Sequence, residues 1–416
     1  MADLLSYPAL VETPYITVEI AGVTFGLYQK RGNAITFPNF VKSLNIVKIN
    51  GQLNTYSLKL TYQIQAGEDP NYMDAIFSKN KSMYGYQKII LNYGDMSSPS
   101  FIFKKEEAIA TKIKVNTDFS SSRIDYTLDC TSTKLQLLAN SFSFPPVEAK
   151  PSDVMINLIC NKKYGIQDVL PGMSSKSLIR SLGLIASDDK KVKIGGKENV
   201  DILYYLNYLT ECMSPVNDPV DTIKKSAIYK LTIEDDYDGK VGGAYLKVTK
   251  VEKNRSTLNN DSPDVYSVDI GYPGNNFVSG FTVNYNDEWS IYYDYSMNLN
   301  QNNYVRTINN KGELESIFSP ALTTSRKYKY TTESDKSWWT AMTEFPVTAT
   351  LTIKGLLKPA ILMDKIRINT YFYGLKHVSS GLYIITKQED SVTESGYKTT
   401  LSLTRVSADI VNNPRS

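Results

Sequence analysis

A single histidine, His377, stands beside Ser379, Ser380 and Gly381 at the head of HVSSGLYIITKQEDSVTESGYKTTLSLTRV, residues 377–406. An imidazole close to hydroxyls could serve a nucleophilic relay. A relay needs a third group to orient the base, however, and a metal site needs several ligands. No second histidine or cysteine lies nearby, so His377 reads as a hydrogen-bonded structural side chain at a strand end, before a tight bend at Gly381. Cys130, Cys160 and Cys212 are odd in number and widely spaced without a CxxC, the pattern of neither a disulfide framework nor a zinc site. Glu333 with Asp335, and Glu389 with Asp390, are the residue types of glycoside hydrolysis, but such pairs read here as exposed turn residues. Trp338 and Trp339, with Tyr328 and Tyr330, could build a sugar platform; beside an apolar strand the two indoles read as packing. Asp235, Asp236 and Asp238 lack the twelfth-position glutamate of an EF-hand, KIGGKEN lacks a phosphate-cradle pattern, and no GxSxG or HExxH occurs. The sequence therefore predicts no catalytic residue, no metal site and no cofactor.

The 416 residues suffice for two to four domains. Lys and Arg number 46 against 43 Asp and Glu, and the formal charge of +3 gives no broad positive field to hold phosphate backbones. Lys190, Lys191, Lys193 and Lys197 follow Asp188 and Asp189 as a solvated loop. The N-terminus lacks a signal-peptide pattern and no segment approaches the ~20 apolar residues that span a bilayer, so folding in a reducing cytoplasm without membrane insertion is expected. Tyrosine is abundant, 30 residues against 14 phenylalanines, and its amphipathic ring suits sheet surfaces and subunit interfaces.

The elements that must position these residues are mostly strands. Over residues 53–65 the even positions Tyr56, Leu58, Leu60, Tyr62 and Ile64 are apolar and the odd ones polar, the period of a sheet with one buried face. Residues 15–20, 23–28, 43–49, 87–93, 100–103, 113–116 and 125–130 read likewise, with a helix over 71–78. After the proline-rich SFSFPPVEAKPSD the character changes: Ser152 and Asp153 can cap a helix to about Cys160, a second covers 174–182, and 200–213 carries Ile202, Tyr205, Leu206, Leu209 and Met213 at helical spacing. Strands resume at 227–233, 244–251, 265–270 and 277–295. An Asn-rich surface excursion, 297–332, and a short helix over 333–342 precede final strands at 347–353, 365–373, 382–387 and 397–406, with 390–396 as the turn.

Residues 338–409, WWTAMTEFPVTATLTIKGLLKPAILMDKIRINTYFYGLKHVSSGLYIITKQEDSVTESGYKTTLSLTRVSAD, resemble the central hub protein of the baseplate in contractile-tailed bacteriophages, a relative of type VI secretion spike-base domains. The pattern is a helix holding Trp338 and Trp339, a strand, a connection containing Pro359, a further strand, and a long hairpin entered through His377 and Gly381. Upstream, ENVDILYYLNYLTECM and DVYSVDIGYPGNNFVSGFTVNYNDEWSIYYDYS follow the hub order. The resemblance implies a mainly β chain with a smaller helical part. Two tube-type antiparallel β-barrel domains (1–148; 262–296 with 333–409) flank an α+β peripheral domain (149–261), with an insertion (297–332) and a tail (410–416). It also implies a homotrimeric ring in the virion tail baseplate, assembled in the host cytoplasm, joining tail tube protein to central spike protein and touching other baseplate proteins. Its channel passes the genome and accommodates a tape-measure protein. The alternatives are a carbohydrate-binding tail adhesin and a tail-associated cell-wall hydrolase.

Overall fold

The computed structural model describes residues 14–26, 40–78, 87–95, 103–166, 191–213, 227–235, 244–252, 266–271, 277–284, 304–308, 314–318, 347–355, 362–363, 365–393 and 395–408. Strands β1 (Pro14–Ile20), β2 (Val23–Gly26), β3 (Val41–Ile49) and β4 (Thr55–Gln63) come first, then helix α1 (Tyr72–Ser78) and strands β5 (Gln87–Asp95), β6 (Phe103–Asp118) and β7 (Arg123–Ser132). Next come α2 (Gln136–Ala139), β8 (Ser141–Phe144), β9 (Val147–Ala149), α3 (Pro151–Cys160), β10 (Val192–Ile194), β11 (Lys197–Asp201) and α4 (Ile202–Met213). Six strands follow: β12 (Ala227–Asp235) and β13 (Ala244–Glu252), which pair, β14 (Tyr266–Ile270), β15 (Val278–Asn284), and β16 (Tyr304–Ile308) and β17 (Leu314–Phe318), which pair. The last elements are β18 (Thr348–Lys354), β19 (Lys365–Phe372), β20 (Leu375–Lys376), β21 (Gly381–Thr393) and β22 (Gly396–Ala408).

Fourteen strands join in one sheet, ordered β15-β18-β22-β21-β3-β4-β7-β6-β5-β1-β2, with β14, β19 and β20 branching beside β21. Every pair in it is antiparallel except β14 with β19. The chain is thus mainly β and antiparallel, as the sequence predicts. Among the described strands the hydrogen-bonded path ends at β2 and β15 without closing into a ring.

Alternation makes the cores. On β4 Tyr56, Leu58, Leu60 and Tyr62 are buried while the odd residues face outward, and they pack with β1, β3, β5 and β7 in a first core. In a second core Ile202, Tyr205, Leu206 and Leu209 of α4 meet Met155 and Leu158 of α3, and the Tyr205 ring stacks on Phe144 with centroids 3.7 Å apart. A third core gathers Leu351, Ile368, Tyr383, Leu401 and Leu403. The hairpin between β1 and β2 turns through Ala21 (φ 52°) and Gly22 (φ 79°), a left-handed pair matched to the twist of its strands.

Several expectations are revised. Helix α3 starts with Pro151 after an extended Lys150 that makes no side-chain cap bond, so Ser152 and Asp153 lie in its first turn and do not cap it. The excursion 297–332 contains the β16–β17 hairpin. Phe103 opens the 16-residue β6, because its charged stretch KKEE pairs with β5 along a two-faced strand. The expected helices over 174–182 and 333–342, with Trp338 and Trp339, lie outside the described residues, as do Pro359 and most of EDDYDGKVGG. None of the described helices is long and apolar enough to cross a membrane.

Candidate functional site: a hairpin shared by two cores

Strands β21 and β22, 13 residues each, pair along their whole length. The other edge of β21 is divided: Gly381–Ile384 bond to β19, and Lys387–Thr393 bond to β3. Between the two halves the register with β22 slips, because Ile385 opposes Leu403 while Lys387 opposes Ser402, leaving Thr386 as an extra residue. That bulge resets the alternation of faces. Before it Tyr383 and Ile385 enter the third core; after it Gln388, Asp390 and Val392 turn inward, and Val392 with Tyr397 enters the first core. Were the same residues to run on in regular alternation without a bulge, Lys387 and Glu389 would face the core instead.

Residues 390–393, expected in a turn, are therefore strand. Asp390 and Glu389 cannot act together, since neighbours on a strand point to opposite faces. Asp390 is 1% exposed and accepts hydrogen bonds from Thr399 Oγ1 (2.6 Å) and Gln388 Nε2 (2.8 Å), while Glu389 pairs on the outer face with Lys387.

Gln388 lies opposite Lys48 across the β21–β3 seam. There the first core holds an ion pair: Lys48 Nζ donates to Glu106 Oε1 at 2.7 Å, Tyr56 Oη donates to Glu106 Oε2 at 2.5 Å, and Tyr93 Oη donates to Oε1. The Tyr93 ring meets Tyr397 of the hairpin edge-on at 6.4 Å. Burial alone would raise the Glu106 carboxyl, but the Lys48 ammonium and the phenol donors outweigh it and hold it at about 2. Burial pushes Lys134 down to about 8 against the pull of Glu106 and Glu107, and pushes the Cys130 thiol up to about 12. Lys48 and Glu106 thus form a buried ion pair, where breaking one partner strands the other.

At the other end of the hairpin His377 lies in a hydrogen-bonded corner. Its N–H donates to Thr370 O at 2.8 Å, Nδ1 lies 2.8 Å from Ser379 Oγ, and the Ser379 N–H donates to Nδ1 at 3.2 Å. Thr370 Oγ1 sits 2.6 Å from Ser379 Oγ and 3.0 Å from Ser380 Oγ, while Tyr383 Oη donates to Ser379 O at 2.6 Å. Both serines are buried, so the hydroxyls knit a corner and present no nucleophile to solvent. Gly381 is buried at the start of β21, paired with Ile368 and Ala408.

Next to this corner is a feature that sequence reading missed. The β19–β20 turn carries Phe372, Tyr373 and Leu375 outward, with Val378 nearby also exposed. Tyr373 (φ 52°) and Gly374 (φ 80°) are both left-handed, a turn that favours Asn-Gly, so a tyrosine there is strained as well as exposed. The aromatic-glycine run YFYGL was its only signal.

The outward face of the sheet is continuous across the second half of the hairpin. One row runs Lys354, Lys398, Ser391, Asn45, Ser57, Asp129, Lys112 over seven strands from β18 to β6, polar at every position. The adjacent inward row, Ile353, Thr399, Asp390, Ile46, Tyr56, Cys130, Ala110, is buried throughout.

No family model matches the sequence, and no curated protein matches it. Among solved structures it is similar to the tail protein from Neisseria meningitidis MC58, at 9% identity over 95% of this chain and 97% of that one, with a TM-score of 0.44. It is similar to the 43 kDa tail protein of prophage MuSo2 from Shewanella oneidensis at 12% identity, 94% and 97% coverage and a TM-score of 0.49. A third is the E. coli c3393 protein, a component of the type VI secretion system, at 9% identity, 94% and 77% coverage and a TM-score of 0.42. The structures to which this chain is similar thus include tail proteins, one of them from a prophage, and a type VI secretion component.

Proposed function

We propose that this chain is a structural, non-enzymatic subunit of a contractile tail, and within it the baseplate hub: a homotrimeric ring between six-fold tail tube and three-fold spike, open for genome passage. The observation that supports the reading best is the seven-strand polar row from Lys354 to Lys112, which runs unbroken over two cores. A channel wall needs one wetted face without apolar patches and one face sealed by a core. Two such cores per chain, three chains to a ring, supply six wall segments for a six-fold tube. On this reading residues 1–148 make one tube-type unit, 262–296 with 333–409 make the second, and 149–261 decorate the outside. Partners are the tube protein, the spike, other baseplate proteins and a tape-measure protein, in the virion tail after assembly in the host cytoplasm.

Light scattering of the purified chain, followed by electron microscopy with its tube protein, tests this. A particle of three times the 46.8 kDa chain mass and a ring in class averages are expected. A stable monomer that forms no ring beside its tube partner overturns the hub. The exposed Tyr373 tip supports a contact between copies, so Tyr373→Asn should relieve about 1 kcal/mol of turn strain yet weaken the ring. His377→Ala with Gly381→Val should lower ring yield; normal assembly with both replaced contradicts their structural role.

A further inference from the structure

We infer that the polar face carries a distinct site, a cleft of about 940 Å³ at its β4–β7–β6 end, that takes the phosphate backbone of duplex DNA. Lys42, Lys59, Lys114 and Arg123 line it, against Glu68 and Asp125. Both acids already have partners. Glu68 Oε2 accepts from the Gln65 N–H at 2.9 Å; Asp125 accepts from Thr61 Oγ1 at 2.7 Å and lies 3.1 Å from Arg123. What remains is a local excess of positive charge that the whole-chain value of +3 conceals.

Geometry favours a phosphate backbone. Lys59 and Lys114 are exposed and flank Thr127 in a single register row, two strand spacings or about 10 Å apart, comparable with the ~12 Å major groove of a duplex. The exposed Asn116 amide and the Thr127 hydroxyl add donors to the cleft. Of the three aromatic rings of the lining, Tyr62 and Tyr126 are buried in the core and the half-buried Phe40 already packs against Phe25 and Tyr62, so none is an open platform on which unpaired bases could stack. Charge without stacking suits duplex over single strands, and gives binding without sequence preference. The inference deepens the hub reading, on which it rests for its purpose: the wall would drag on passing genome through a few screened contacts.

Fluorescence anisotropy of the full chain with a labelled 30-base-pair duplex at 50 and 200 mM salt tests it. Neutralising about three phosphates predicts a loss of about forty-fold in affinity across that range. Lys59→Ala with Lys114→Ala, both on an exposed face, should weaken binding at least ten-fold and flatten the salt slope by about two. No duplex binding at 50 mM, or binding unchanged in the double variant, overturns the site. Equal binding of labelled polyglutamate overturns it in favour of an acidic protein segment. A ring-forming chain that ignores duplex sinks this inference and leaves the hub standing; a duplex-binding chain that never forms a ring does the reverse.

Discussion

Glu106 is ionised although only 2% exposed, held by Lys48 and two phenols. Glu106→Gln removes the charge that Lys48 needs, so a loss of about 3–5 kcal/mol is expected in chemical denaturation. Replacing the pair together, Lys48→Met with Glu106→Leu, should recover the part due to the stranded ammonium but not the part due to the Tyr56 and Tyr93 hydroxyls, which lose their carboxylate acceptor. Acid acts on the same contact. The folded carboxyl titrates at about 2 against an ordinary 4.5, so its contribution is complete above about 4.5 and is lost as pH falls toward 2. Thermal unfolding followed from pH 6 to pH 2 should show the loss in that window, and the Gln variant should show a smaller one.

At the scale of elements the bulge at Thr386 is decisive. Deleting Thr386 would remove the bulge and still leave Gln388, Asp390 and Val392 inward, because Gln388 would then follow Ile385 by two positions, so the deleted chain should stay soluble. Thr386→Ala keeps the backbone and loses only the Oγ1 bond to Ser402 O, about 1 kcal/mol, and circular dichroism should find both variants folded. Sequence periodicity located β4 and α4 because each buries one face against an apolar neighbour. It ended the first hairpin arm at Lys387, because Gln388, Glu389, Asp390 and Ser391 have turn composition. The burial of Gln388 and Asp390 makes sense only beside Lys48 and Thr399, partners that no local window contains. The bulge was equally unreadable, since an extra residue carries no characteristic type. His377 and Gly381 were legible as a corner because the hydroxyl run and glycine are local.

For the molecule as a whole the shared hairpin couples stabilities. Val392 and Tyr397 belong to the first core, while Tyr383 and Leu401 on the same two strands belong to the third. Calorimetry should therefore record a single transition for both cores. Tyr397→Ala should split it in two. Gly355→Ala should do the same, because a Cβ at Gly355 would overlap the Tyr397 ring and displace it.

The pairing of β3 with β21 joins residues about 340 positions apart. At ~5–20 residues per second of synthesis, the β3 edge waits on the order of 20–70 s for its partner strand. Through that interval its backbone donors and acceptors form an open template for foreign strands. Production of this protein should then be limited by the time that edge is unguarded, so slower synthesis at low temperature should lower soluble yield unless a chaperone covers it.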